Sequence, residues 1–212
     1  MHPQRRQPPG CMRLSGYRER NEETRKQFIE RISQIESSKI VYVDEAGFDN
    51  RDDYPYGYSY KGTRCHALKS GKRVARISWI AALKEGKVFA PLTYEGCCNR
   101  HVFKTWLEKS LLPKLNPGNV IVIDNATFHK ADATPRRRKA QGNAHQAGQS
   151  ILEVVQNAGC EIWYLPPYSP DLNKIERWWS VLKTWMKQRI FDFGTIRECV
   201  DSAFAQCPNV FP

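Results

Sequence analysis

The sequence has 212 residues, enough for one domain with a substantial core. Its 33 Lys and Arg outnumber 22 Asp and Glu, and a net charge of +11 favours a polyanionic partner such as nucleic acid. Seven cysteines without a C-x-x-C pair argue against a structural zinc site and indicate reduced thiols in a cytoplasmic protein, and no apolar run is long enough to cross a membrane.

The N-terminal part of the chain predicts an arm followed by a helix. Residues 1–16 are rich in Pro and Arg, and we expect them to be poorly ordered. Residues 17–35 are densely charged, but Phe28, Ile32 and Ile35 recur at helical spacing. This pattern predicts an exposed helix with one narrow apolar stripe that docks on the domain.

Three strands are predicted next. The segment K-I-V-Y-V forms a strand that ends in Asp44 and Glu45, and side-chain alternation directs only one of these two acids towards any given site. Residues 74–83 and 88–94 form a hairpin. Pro91 cannot donate a hydrogen bond to a neighbouring strand, so the second strand of the hairpin should lie at the edge of the sheet.

A short strand in the middle of the chain leads to another acid. Val120–Ile123 are four consecutive β-branched residues, which is typical of a strand buried on both faces. Asp124 follows directly, and ligands of open α/β sheets bind at this end of the strands. Asp124 could instead cap the next helix or turn.

The hydrophobic pattern predicts four more helices and one more strand. Helices are expected over 99–112 and 150–159, a strand over 161–165, a helix from Ile175 with Trp178, Trp179 and Trp185 in the core, and a last helix from Thr195 to Phe204. The order favours a three-stranded antiparallel meander followed by two parallel strands. Right-handed crossovers then bring the first and fourth strands, and with them Asp44 and Asp124, side by side.

Residues 131–148 interrupt this pattern. They contain no apolar residue larger than Ala and cannot bury enough surface to order themselves, so we predict a disordered basic insertion. A second irregular stretch, 49–73, interleaves aromatic and basic residues. The cations of the two stretches are candidates for DNA contact, although an ordinary solvated surface explains them equally well: Lys61, Arg64, Arg136, Arg137, Arg138 and Lys139.

Three motifs carry a resemblance to a known family. They are V-D-E-A-G-F at 43–48, I-D-N-A-T-F-H at 123–129 and L-P-P-Y-S-P-D-L-N-K-I-E at 165–176. They resemble the DDE transposases of the Tc/mariner superfamily, in its bacterial insertion-sequence branch, and the third motif is the most specific. The resemblance implies an α/β, ribonuclease-H-like fold with a five-stranded mixed sheet, three strands antiparallel and two parallel, flanked by helices.

The resemblance also implies a catalytic site. Asp44, Asp124 and Glu176 would form the metal-binding triad, with Asn125 and His129 behind it. The expected cofactors are two Mg²⁺ ions, for which Mn²⁺ can substitute, because Mg²⁺ prefers carboxylate oxygens. From spacing alone, Asn173-x-x-Glu176 could equally be a capping box that closes the start of a helix. Asp171 is expected to have a purely structural role as a helix or turn cap.

The chain departs from the family pattern in two places. The 51 residues between Asp124 and Glu176 exceed the usual spacing by nearly the length of the 131–148 insertion, and Lys174 stands where the family usually has proline. We divide the chain into an arm with an exposed helix (1–38), a catalytic domain (39–205) and a tail (206–212). The family's N-terminal helix-turn-helix module is expected to be missing or supplied by another reading frame.

The function expected from these observations is DNA transposition. The chain would cleave DNA strands and transfer them, acting on double-stranded transposon ends and target DNA in association with the nucleoid. A homodimer is one candidate assembly. Two other classes of function stay open: a ribonuclease-H-like nuclease without strand transfer, and a decayed or truncated transposase that only binds DNA.

Overall fold

The structure is a computed structural model that describes residues 20–49, 52, 59–64, 66, 76–125 and 150–207. Several sequence predictions fall outside these ranges: the arm at 1–16, His129, and the insertion with Arg136, Arg137, Arg138 and Lys139. In the part of the chain that is described, no helix is long and apolar enough to span a membrane. The five cysteines described there, at 97, 98, 160, 199 and 207, are free thiols.

Five helices and five strands make up the described fold. The helices are α1 (Glu22–Ser33), α2 (Arg100–Trp106), α3 (Ile151–Asn157), α4 (Ile175–Arg189) and α5 (Ile196–Gln206). The strands are β1 (Ile40–Phe48), β2 (Ile77–Lys84), β3 (Lys87–Glu95), β4 (Val120–Ile123) and β5 (Glu161–Tyr164). A π-helical turn, Leu107–Leu111, and a 3-10 turn, Leu112–Lys114, continue α2, so helical backbone extends close to the predicted end of this element.

Polar caps fix where several of these helices begin. The Asn21 side chain accepts a hydrogen bond from the Thr24 amide at 3.0 Å, so α1 begins at Glu22, later than the predicted helix over 17–35. Asn99 caps α2, and Ser150 and Glu153 form a capping box at α3. These caps satisfy backbone amides that have no partner within the helix.

The strands form one mixed sheet in the order β3-β2-β1-β4-β5. β2 pairs antiparallel with β1 and β3, whereas β4 pairs parallel with β1 and β5. This is the predicted topology. The prediction for Pro91 is also confirmed, because β3 lies at the sheet edge. Ala90 and Pro91 together oppose Ala81 in a bulge, and the Trp106 indole N–H donates to the Ala90 carbonyl at 2.7 Å.

The prediction that the first strand ends in Asp44 and Glu45 is wrong. β1 continues to Phe48, because β2 remains paired with it through Phe48 opposite Ile77. On the other side, β4 is much shorter, and its pairing with β1 extends only from Ile40 to Tyr42. Asp44 therefore lies in the part of β1 that is paired on one side only, with β2.

Two apolar cores cover the two faces of the sheet. Tyr42, Trp79, Val122 and the apolar faces of α4 and α5 form one core. Alternate residues of the same strands form the other core with α2 and α3. α1 packs its predicted stripe of Phe28, Ile32 and Ile35 against the first core. Trp178 and Trp179 are fully inside it, but Trp185 is only partly buried at its margin, so the prediction for Trp185 holds only in part.

Candidate active site

The register of the sheet brings two acids to one face. Tyr42 of β1 lies opposite Val122 of β4, and both side chains belong to the core that contains α4. Side chains on one face of a strand recur every second residue. Asp44, two residues beyond Tyr42, and Asp124, two residues beyond Val122, are therefore directed to the same side of the sheet as α4. Val43 packs into the opposite core, so Glu45 is directed away, as predicted.

The third acid reaches the same place from α4. Glu176 lies in the first turn of this helix and is exposed. A cavity of about 370 Å³ lies between α4 and the ends of β4 and β5. Its lining consists of the three acids, Asn125 after β4 and the loop that precedes α4: Asp44, Asp124, Asn125, Leu165, Pro166, Pro167, Tyr168, Ser169, Pro170, Asn173 and Glu176.

Asp44 is the most constrained of these carboxylates. It is 9% exposed, its Oδ1 accepts a hydrogen bond from the Glu45 amide at 2.9 Å, and its Oδ2 accepts one from the indole N–H of Trp179 at 3.1 Å. Burial raises the pKa of Asp44 well above its usual value, and the negative charges of Glu176, Glu45 and Asp124 raise it further. Burial and the neighbouring acids therefore disfavour the charged form of Asp44, and a bound cation would offset both effects.

The capping-box alternative for Glu176 is not what the structure contains. α4 begins at Ile175, and Lys174, in the N-cap position, makes no side-chain capping bond. The Glu176 amide donates instead to the backbone carbonyl of Asn173 at 3.1 Å. The Asn173 side chain is 3% exposed, and its Oδ1 accepts no hydrogen bond from the described residues. A buried amide oxygen without a donor is costly, which suits a place where a ligand is bound.

The other residues predicted for the site have different surroundings. Asn125 lines the cavity, and its side-chain amide donates to the Leu165 carbonyl, which joins the end of β4 to the loop after β5. Lys61 and Arg64 are exposed and do not line the cavity. Asp171 is a structural acid as expected, but its partner is the Arg25 side chain rather than a helix N-terminus.

The three acids are too far apart, in the side-chain positions of this structure, to bind one metal ion together. Over the described ranges, no three His, Cys, Asp or Glu side chains are close enough together to hold one metal ion. The backbone nevertheless directs three carboxylates to one cavity, and Glu176 is exposed, so rotation of its side chain changes its separation from the two aspartates. The donor set fits a hard divalent cation, because it consists of carboxylate oxygens and the amide oxygen of Asn173.

Trp179 and Asn173 are the site residues that sequence reasoning missed. We predicted Trp179 as core only, yet it lies three residues after Glu176 and donates to Asp44. The i, i+3 spacing puts the two side chains on adjoining parts of the helix surface, which was the available signal. Asn173 was considered only as a cap, although it lies within the most specific motif.

Comparisons with known proteins agree on the fold. A Mos1 transposase paired-end complex with left transposon end superposes with a TM-score of 0.65 at 14% identity, over 97% of this chain and 60% of that one. A Mos1 mariner paired end complex with Mn gives 0.61 at 14%, over 97% and 61%, and the catalytic domain of Mos1 mariner transposase gives 0.51 at 13%, over 89% and 80%. This chain thus spans about 60% of the full transposase chains. The likeness confirms the predicted ribonuclease-H-like fold.

The family is established by sequence. No curated protein matches the chain. The family profile described as DDE superfamily endonuclease matches residues 39–196, which is more than half of the chain and contains Asp44, Asp124 and Glu176. The resemblance predicted from the three motifs is therefore confirmed at the level of this superfamily, and the chain belongs to the DDE superfamily endonucleases.

Proposed function

We propose that this chain is the catalytic domain of a Tc/mariner transposase of the bacterial insertion-sequence branch, which cleaves DNA strands at transposon ends and joins their 3′-hydroxyls to target DNA. The observation that carries the proposal is that Asp44, Asp124 and Glu176, from β1, β4 and α4, line one cavity. The net charge of +11 favours a DNA partner within the cell, in association with the nucleoid. Lys61 and Arg64 are exposed candidates for contact with its backbone, and a homodimer stays a prediction.

The residues that would hold two Mg²⁺ or Mn²⁺ ions are the three acids. Asp44 and Asp124 would share the first ion, and Glu176 would hold the second with one of the two aspartates. When bound, the pair would activate a nucleophile and stabilise the leaving oxygen of a phosphodiester. Asn173 Oδ1 provides a further hard oxygen at the cavity wall. The Mos1 mariner paired end complexes with Mn and with Mg support divalent-metal dependence.

The chain's own residues would prepare the site for the DNA. Trp179 fixes the orientation of the Asp44 carboxylate, and Asn125 ties the end of β4 to the carbonyl of Leu165. Pro166, Pro167 and Pro170 restrict the backbone of the cavity wall. Such pre-organisation matters because phosphoryl transfer depends mainly on positioning and electrostatics.

A strand-transfer assay tests the proposed function. We expect the protein, incubated with a 3′-hydroxyl DNA duplex and a supercoiled plasmid, to produce joined product in Mg²⁺ or Mn²⁺ and none in EDTA. Cleavage without joined product would instead support a nuclease that lacks strand transfer. Absence of both products, with DNA binding retained, would support a chain that only binds DNA.

Replacing Trp179 with Phe tests the role of its indole donor. The ring remains in the core, but Asp44 loses one hydrogen bond, so we expect the rate of DNA cleavage to fall roughly 10- to 100-fold, as for lost partners of metal ligands. The free energy of unfolding should fall by only about 1 kcal/mol. The matched control is Trp178→Phe, because the buried Trp178 indole N–H makes no hydrogen bond to the described residues. Equal activity of the two variants would contradict the role of Trp179.

A further inference from the structure

A partly buried ion pair joins α1 to the loop that forms the cavity wall, with Arg25 buried and Asp171 half exposed. Nη1 of Arg25 lies 3.0 Å from Oδ1 of Asp171, and Nη2 lies 2.7 Å from Oδ2, a bidentate arrangement across 146 residues of sequence. Arg25 is 6% exposed, and the Arg25 hydrogen bonds hold the pKa of the Asp171 carboxyl below its usual value. The Asp171 carboxyl is therefore ionised at neutral pH, and removing it would leave the buried Arg25 guanidinium without its bidentate partner.

Asp171 lies in a segment that is connected to Glu176 through the backbone, so a shift of this segment would move Glu176. Consecutive backbone hydrogen bonds connect this segment: Leu172 N–H to Ser169 at 3.1 Å, Asn173 N–H to Pro170 at 2.9 Å and Glu176 N–H to Asn173 at 3.1 Å. Ser169, Pro170, Asn173 and Glu176 all line the cavity, whereas Asp171 is directed away from it towards α1. The ion pair thus holds this wall from behind, without touching the cavity.

α1 is a firm support for this contact. Phe28 and Ile32 pack against the core, and the Arg31 guanidinium lies 3.7 Å above the ring of Trp163. Two other charges adjoin the pair: Glu22, whose carboxylate is 3.6 Å from Arg25 Nε, and Arg20, 4.0 Å from Asp171. α1 also precedes residues 39–196, the part matched by the family profile, so the profile assigns no role to it.

We propose that Arg25 is a positioning residue for the catalytic site: through Asp171 it fixes the 169–176 segment so that Asn173 and Glu176 face Asp44 and Asp124. This inference rests on the proposed function, because that function makes the cavity a catalytic site. The geometry of the 169–176 segment does not depend on it. Small displacements of catalytic groups cost large factors in rate. A residue outside the family match would then set the activity of the triad.

The test compares Arg25→Ala with Arg31→Ala, which removes another cationic contact between α1 and the domain. We expect Arg25→Ala to lower kcat for strand cleavage roughly 10- to 100-fold with KM for DNA unchanged, and to weaken Mn²⁺ binding measured by calorimetry. Arg31→Ala should keep the wild-type kcat and Mn²⁺ affinity, even if its Tm falls by as much as that of Arg25→Ala. Arg25→Lys keeps the charge and should retain intermediate kcat, and the swap Arg25→Asp with Asp171→Arg should recover part of it. Equal kcat for the Arg25→Ala and Arg31→Ala variants would overturn the proposal.

Amide hydrogen exchange gives a readout that does not depend on activity. The amides of Leu172, Asn173 and Glu176 should exchange faster in Arg25→Ala than in Arg31→Ala and the wild type, and unchanged protection would overturn the positioning role. If Arg25→Ala fails to fold, Arg25→Lys supplies the same comparison. The wild type could prove inactive in both metals while these amides still exchange faster in Arg25→Ala. That result would contradict the proposed function and leave the positioning of the segment established.

Discussion

Replacing Glu176 with Gln is expected to abolish DNA cleavage and strand transfer while leaving the fold intact. Glu176 is exposed in the first turn of α4, so its carboxylate stabilises no core. If it holds a divalent cation, loss of its charge removes several kcal/mol of transition-state stabilisation, which corresponds to a rate loss on the order of 1000-fold. Cleavage rates in Mg²⁺ and Mn²⁺, with thermal unfolding measured in parallel, test this expectation.

The same variant separates the two interpretations of Glu176. Gln also serves in capping boxes, so a residue with a purely structural role at the helix start would tolerate the substitution. Glu23→Gln is a suitable control, because Glu23 is likewise an exposed acid in the first turn of a helix and does not line the cavity. Cleavage by the Glu176→Gln variant at the rate of the control would remove Glu176 from the triad.

Replacing Asp44 with Asn should abolish activity and also remove the pH dependence that Asp44 gives to stability. The folded-state pKa of Asp44 is raised, chiefly by burial and then by Glu176, Glu45 and Asp124, above the ordinary value of 3.8. A raised carboxyl pKa contributes stability that is fully present below that ordinary value and is lost as pH rises through the folded-state pKa. Ionisation of Asp44 therefore destabilises the metal-free fold.

The measurement is the free energy of unfolding of both proteins in EDTA across this pH range. The stability of the Asp44→Asn variant relative to the wild type should increase as pH rises above 3.8, by at most about 1.4 kcal/mol per pH unit, and level off beyond the folded-state pKa. Saturating Mn²⁺ should stabilise only the wild type, by about 2.7 kcal/mol at one hundred times the Kd. A difference independent of pH would contradict the raised pKa of Asp44.

Much of the fold could be predicted from the sequence because its patterns are local. Four β-branched residues identified β4, because such side chains favour strand backbone at their own positions. Pro91 identified the edge strand, because it has no backbone N–H to donate. The length of β1 could not be predicted. Its residues beyond Asp44 are held by pairing with β2, and this pairing partner is distant in sequence.

The candidate site was predicted unevenly for a similar reason. The motifs identified Asp44, Asp124 and Glu176, and the sheet register explains how the two aspartates come to share a face. The groups that orient these acids were not predicted. The indole of Trp179 contacts Asp44 across 135 residues, and Arg25 contacts Asp171 across 146, so no spacing rule connects either pair.

The most direct test of the three-carboxylate site is a crystal of the protein soaked in Mn²⁺, with the ions located by anomalous scattering. We expect two ions about 4 Å apart in the cavity, with oxygens of Asp44, Asp124 and Glu176 at about 2 Å from them. Ions bound elsewhere at saturating Mn²⁺, or carboxylates that stay apart in an ordered cavity, would contradict the assignment of these residues.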